Sequence, residues 1–182
     1  TLIDANIHLK TGGERYHDRA LVPVPDFGFN RVINDRMTFG VTVFGQGAAL
    51  NYKQPAYGST STKSSLTQLQ VAPTLTWKIA DHHYLGFSPR IAYETREIRG
   101  VENLGCRSQG RAHALGAGAA LSYLWQPTEA LTLGATYASP VWFQKIDGYE
   151  KLLPNGRLNL PQQAGVGAAY QLSPQLTIAA DF

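Results

Sequence analysis

Hydrophobic and polar positions alternate along this chain with a period of two. Between Gln68 and Ile79 the odd positions are Leu69, Val71, Pro73, Leu75, Trp77 and Ile79, and the even ones are Gln68, Gln70, Ala72, Thr74, Thr76 and Lys78. This is the pattern of a β-strand with one apolar face. It runs longer than the usual strand of about five or six residues. After a turn at Ala80-Asp81 it resumes from His83 to Thr95. Leu85, Phe87, Pro89, Ile91 and Tyr93 share one face, and Tyr84, Ser88, Arg90 and Glu94 the other. Long strands of this kind are what an antiparallel transmembrane β-barrel requires.

The pattern predicts nine strands, at residues 2–10, 27–33, 38–44, 67–79, 83–95, 112–125, 131–141, 157–170 and 175–182. Tight turns at Asn34-Asp35, Ala80-Asp81, Pro127-Thr128 and Ser173-Pro174 recur about every 46 residues. The other connections are long and polar, over residues 11–26, 45–66, 96–111 and 139–156. Outer-membrane barrels alternate short periplasmic turns with long extracellular loops in this way. A propeller would need four short strands per repeat, not two long ones.

Charge decides which face meets lipid. Arg or Lys at the bilayer midplane costs about 2–4 kcal/mol, so a lipid-facing phase should carry none. The apolar phases comprise Ile3, Ala5, Ile7 and Leu9; Phe39, Val41 and Val43; odd positions 69–79, 85–93, 115–125 and 131–137; even positions 160–170; and Leu176, Ile178, Ala180 and Phe182. They hold no charge, and Gln162 is their one polar exception. Asp4, His8, Lys10, Lys78, Arg90, Glu94 and Asp181 fall in the opposite phase. Aromatic residues gather in two girdles. Trp77, Tyr123, Trp125 and Tyr170 lie beside the short turns, and Tyr93, Tyr137, Trp142 and Phe143 toward the long loops. A soluble sandwich also alternates, but strand length and girdles count against it.

Composition narrows the classes further. At 182 residues the chain is long enough for one domain. Charged residues are 16%, below the usual quarter of a soluble domain. No run approaches the roughly 18 apolar residues of a transmembrane helix. The net charge of +3 is mild, and the basic residues are scattered, with one loose group at Arg96, Arg99, Arg107 and Arg111. A nucleic-acid partner is therefore not expected. The single cysteine, Cys106, cannot form an internal disulfide. His8, His17, His82, His83 and His113 match no metal spacing, so neither metal nor cofactor is expected. The opening Thr-Leu-Ile-Asp shows no secretory signal, as expected of either a mature protein or a piece of a longer one; nine strands that leave two open edges favour the piece.

Gly-x-Gly-Ala-Ala-(Leu/Tyr) occurs at residues 45–50, 116–121 and 165–170. It is not a dinucleotide fingerprint, because position six is wrong and no strand–turn–helix follows. Gly116, Gly118 and Ala120, like Gly165, Gly167 and Ala169, occupy the lumen phase, where small side chains leave room for a plug or a ligand. The first copy differs. Alternation breaks at Phe44, and Gly45 and Gly47 follow, which suggests a bulge or kink. Arg90 and Glu94 share the lumen face, as an interior charge network or as a site for an anionic headgroup. No Gly-x-Ser-x-Gly motif is present.

The run Asn34-Asp35-Arg36-Met37-Thr38-Phe39-Gly40-Val41, continuing to Gly47-Ala48-Ala49-Leu50-Asn51-Tyr52, resembles the second-to-third-strand region of FadL-type long-chain fatty acid transport proteins. The run from Ala72 to Asp81 with Leu85-Gly86, that from Leu131 to Tyr137, and Leu158-Asn159-Leu160-Pro161-Gln162-Gln163 resemble later parts of that family, in order. The resemblance implies a 14-stranded barrel with an N-terminal hatch. This chain would then be its strands one to nine, a single barrel domain over 1–182 without hatch or closing strands. It also implies an outer-membrane channel for passive uptake of fatty acids or aromatic hydrocarbons, in contact with outer-membrane lipid, monomeric and not an enzyme. Release would be sideways through a kinked third strand. By resemblance the kink falls at Phe44, Gly45, Gln46 and Gly47, and these residues, with Arg90 on the lumen face and Phe143 in the loop, are the candidate ligand-binding residues. The loop over 97–110 is short for the family, so Phe143, Ile146, Tyr149, Leu152 and Leu153 are expected to supply the external apolar groove. A general porin and a barrel lipid hydrolase are the alternatives.

Overall fold

The computed structural model describes residues 2–11, 13–58, 60–104 and 109–182. Cys106 and Arg107, and the side chains of Ile3 and Ala5, lie outside the described residues. Eleven antiparallel strands are described: β1 (Leu2–Thr11), β2 (Glu14–Pro23), β3 (Asp26–Asn34), β4 (Met37–Asn51), β5 (Lys63–Ala80), β6 (His83–Arg99), β7 (Gln109–Trp125), β8 (Leu131–Ala138), β9 (Trp142–Phe143), β10 (Gln163–Ser173) and β11 (Leu176–Asp181). One sheet has the order β11-β10-β8-β7-β6-β5-β4-β3, with β9 continuing beside β7, and β1 and β2 form a separate hairpin.

Each predicted tight turn joins two neighbouring strands. Asn34 Oδ1 accepts the amide of Arg36 at 2.9 Å and closes the β3–β4 turn, as Asn does in turns. His82 takes φ +65° between β5 and β6. The long connections are shorter than the alternation implied. β4 runs on to Asn51 and β5 starts at Lys63, while β6 ends at Arg99. The expected loop over 11–26 is mostly β2, paired with β1 from Thr11↔Glu14 to Leu2↔Pro23. Polar residues on both faces of Glu14-Arg15-Tyr16-His17-Asp18-Arg19 hid that strand. The expected strand over 157–170 begins only at Gln163.

The sheet is apolar outside and polar inside. Phe27, Trp77, Ile79, Phe87, Ile91, Leu121, Val166 and Ile178 are exposed on the outer face, and Gln68, Gln70, Glu94 and Arg96 are buried on the inner one. That inversion fits lipid outside, where the apolar face needs no other cover. Tyr93 pairs with Leu115, and His83 with Trp125. From Leu115 to Trp125 a strand rising about 3.4 Å per residue and tilted about 40° climbs about 26 Å. This matches the apolar band of about 25 Å that such barrels present.

The compact core lies on the inner face. Ala92 of β6 and Ala114 of β7 pack with Val141, Phe143, Ile146 and Tyr149 from the segment after β8. Pro140 interrupts the strand there, and the chain turns inward. Val141 and Leu160 exchange backbone hydrogen bonds of 3.2 and 3.1 Å, and Ile146 donates to Gly156 at 3.0 Å. The predicted external groove is thus overturned: Phe143, Ile146 and Tyr149 are buried, with Leu152 and Leu153 packed against them. Leu160, assigned to the lipid phase, also packs on this inner cluster, as does Phe143, assigned to the outer girdle.

Candidate functional site

β4 has different neighbours along its two edges. Toward β5 it pairs without interruption from Met37↔Trp77 to Asn51↔Lys63, including Phe44↔Gln70, Gly45↔Leu69, Gln46↔Gln68 and Gly47↔Thr67. The bulge expected at 44–47 is therefore absent on that side. A bulge would leave a residue unpaired, and none is. Phe44 keeps the inward phase that it shares with Gln70.

The interruption lies on the facing strand. β3 pairs with β4 only as far as Asp26↔Phe44. One further hydrogen bond runs from the Gly45 amide to the Pro25 carbonyl, at 2.8 Å. Beyond it, among the described residues, no ladder joins β2 to β4. Pro25 has no N–H to donate, and its ring abuts Gly45, where a Cβ would come within 2.8 Å of Pro25 Cδ. The edges meet again near the top. Asp18 Oδ2 accepts the Asn51 amide at 2.7 Å, and the rings of Tyr16 and Tyr52 lie 5.6 Å apart. Between these two pinned ends, about 20 Å apart at strand rise, β4 residues 46–50 border an unpaired slit.

A row of inner-face residues runs from this slit across the sheet. Phe44 pairs with Gln70, Gln70 with Ala92, Ala92 with Gly116, and Gly116 with Phe143. Four strand spacings make it roughly 19 Å long. Of the predicted residues, Phe44 and Gln46 face inward at the near end, Gly45 and Gly47 belong to the outer face beside them, and Phe143 closes the far end. The Gly116 and Gly118 wall makes room for a plug, as the spacing implied, and the plug is the chain itself. A Cβ on Gly116 would meet the Phe143 ring at 2.8 Å and Val141 at 2.9 Å, and one on Gly118 would meet the Pro140 carbonyl at 2.7 Å.

Above this row lies a polar network that sequence reasoning missed. Gln46 Nε2 donates to Gln68 Oε1 at 2.5 Å, and Gln68 Nε2 donates to Glu94 Oε2 at 2.6 Å. Glu94 Oε1 is 2.6 Å from Arg96 Nη2. The Arg96 guanidinium sits over the Tyr149 ring, 5.9 Å from its centroid. The Glu94–Arg96 contact is an ion pair without a hydrogen bond, since the buried Arg96 Nη2 has no hydrogen-bond partner among the described residues, and the chain of contacts links the slit to the inward segment. Two glutamines at successive inward positions, Gln68 and Gln70, were its one sequence signal. Arg90 and Glu94 do not form the expected network with each other. Arg90 donates to Gln70 Oε1 at 2.9 Å and to the Ser139 carbonyl at 3.3 Å, which braces the point where the chain turns inward.

A family model described as outer membrane protein transport protein (OMPP1/FadL/TodX) matches residues 10–182. Among solved structures, the Pseudomonas putida toluene transporter TodX has a TM-score of 0.68 at 16% identity, over 99% of this chain and 58% of that one. A TodX deltaS2S3 mutant, described as a monoaromatic hydrocarbon channel, gives 0.73 at 15% identity, again over 99% and 58%. The Ralstonia pickettii toluene transporter TbuX gives 0.58 at 17%, over 90% and 54%. These likenesses establish the fold, and the chain spans little more than half the length of those structures. No curated protein matches the chain.

Proposed function

The chain belongs to the outer membrane protein transport family (OMPP1/FadL/TodX), and from that premise we propose that the whole protein is a passive channel for hydrophobic small molecules, which leave its lumen sideways through the slit beside Phe44, Gly45, Gln46 and Gly47. The observation that carries this reading is the loss of strand pairing above the Gly45–Pro25 hydrogen bond. An apolar solute leaving there enters the bilayer directly and never meets water. Phe44 offers it an apolar inner surface at the threshold. In this reading, strands beyond β3 and β11 close the barrel of a monomer, because open sheet edges are not viable in lipid. Solved relatives named as toluene transporters favour a small aromatic hydrocarbon as substrate; a fatty acid has the same apolar character.

Toluene uptake by cells carrying the full-length protein tests this. Pro25→Thr restores an amide donor facing β4 and should lower uptake about fivefold or more by extending the ladder. Bulky residues at both Gly45 and Gly47 should do the same by filling the opening. Wild-type uptake in both variants, with heat-modifiable folded barrels on gels, would falsify lateral passage at this place.

A further inference from the structure

The outer face of β5, β6 and β7 changes character in rows as it rises toward the long-loop end. The Tyr93 row is apolar, with Leu69 and Leu115 as its cross-strand partners. The next row is Thr67, Thr95 and His113, and His113 Nδ1 lies 2.7 Å from the Tyr93 hydroxyl with the rings stacked. Above it Glu97, cross-strand partner of Ser65, sits at a register shift that brings Arg111 opposite. The uppermost pair is Lys63↔Arg99. Lys63 Nζ reaches Glu97 Oε2 at 3.0 Å, Arg99 Nε reaches Glu97 Oε1 at 2.8 Å, and Arg111 adds its attraction to the same carboxylate. Three cations on one buried carboxylate leave two positive charges in excess.

The short-turn end of these strands has no counterpart. Its outer face carries Trp77, Ile79, Leu85, His83, Tyr123 and Trp125 and neither Lys nor Arg. The basic patch thus belongs to one leaflet, the one on the side of the long loops. Its height is informative. Glu97 and Arg99 lie four and six residues above Tyr93, about 10–15 Å above the aromatic belt at ordinary rise and tilt. A phospholipid headgroup layer is only about 5–8 Å deep. A headgroup that reaches these cations needs further bulk between its acyl chains and its outermost charges.

We infer that Lys63, Arg99 and Arg111, with the Thr67, Thr95 and His113 row beneath them, form a docking surface for a phosphorylated saccharide lipid of the outer leaflet. Its acyl chains pack on Leu69, Tyr93 and Leu115. The hydroxyl row meets its sugars, and its phosphates meet the cations. Glu97 holds Lys63 and Arg99 in a fixed geometry and partly neutralises them, so occupancy falls with salt and does not become irreversible.

Native mass spectrometry of the full-length protein in neutral detergent tests this, with bisphosphorylated lipid A, its fully dephosphorylated form and inorganic phosphate as probes. A basic residue near an anionic surface contributes about 1 kcal/mol, and about 1.4 kcal/mol is tenfold in affinity. The triple variant K63S/R99S/R111S should therefore retain the bisphosphorylated lipid at least tenfold less well than wild type, and Glu97→Gln should retain it a few-fold better. The dephosphorylated lipid should bind weakly to all, and millimolar inorganic phosphate should not displace the bound lipid. Equal retention by the triple variant, equal binding of the dephosphorylated lipid, or full displacement by inorganic phosphate overturns the assignment. If the triple variant does not fold, wild type decides: its retention must fall between 50 and 500 mM salt, and insensitivity rejects the proposal.

Discussion

Gly116 has no depth to spare on the inner face, since a Cβ there would already touch Phe143 and Val141. Gly116→Leu is expected to expel the inward segment, at the 1–3 kcal/mol typical of overpacking. Hydrogen exchange across residues 141–153 should accelerate while the strands stay protected. Tyr149 supplies a second check. Burial pushes its phenol above the usual tyrosine value, and the nearby Arg96 charge offsets that only in part. A raised folded-state pKa contributes stability that is complete below the unfolded value near 10 and is lost as pH rises through the folded one. The segment should therefore loosen above pH 10, and Tyr149→Phe, which removes the titrating hydroxyl, should flatten that response. At this scale the sequence is most readable. A period of two fixes which way each side chain points, so Gly116 and Arg90 could be assigned to the lumen. It does not encode who meets whom, which is why Arg90 and Glu94 looked like partners and are not.

At the scale of elements, alternation found strands only where one face is apolar. β5 and β6 announce themselves; β2 does not, because both of its faces near Asp18 are polar. The break in alternation at Phe44 points to a kink in β4, whereas β4 is regularly paired with β5 there and the pairing is lost on its other edge. The glycines at 45 and 47 are visible in the sequence, whereas the register of β4 on β5 and the interruption opposite, at Val24 and Pro25, depend on pairing between strands. The inward segment is illegible for the same reason: Val141 reads as a strand end, and Phe143, Ile146 and Tyr149 read equally well as an external groove. Cross-linking separates the slit from its pinned ends. Cysteines at Val22 and Ala48, bridged by a short bismaleimide in the full-length protein, should lower uptake severalfold. The same bridge between Asp18→Cys and Asn51→Cys should leave uptake unchanged, because those edges already touch. Equal effects at both places would count against a local opening.

For the whole molecule, the inversion of polarity is the governing fact. Trp77, Trp125 and Trp142 all point outward, near the two margins of the apolar band. Brominated lipids should quench all three in the reconstituted full-length protein. Bromines near the headgroups should quench more strongly than bromines at the chain ends, and the reverse order would misplace the band. The slit has a mechanical consequence of its own. A seam fastened at both ends widens by bowing its sides, so the gap is greatest at mid-height, near Ala48, and vanishes at either fastening. On the proposed lateral route, solutes would then be selected by thickness and hardly at all by length. A flat ring and an extended alkyl chain are both thin, whereas a branched or caged hydrocarbon of equal mass is not. Uptake should follow the smallest cross-section of the solute, with toluene entering and adamantane excluded.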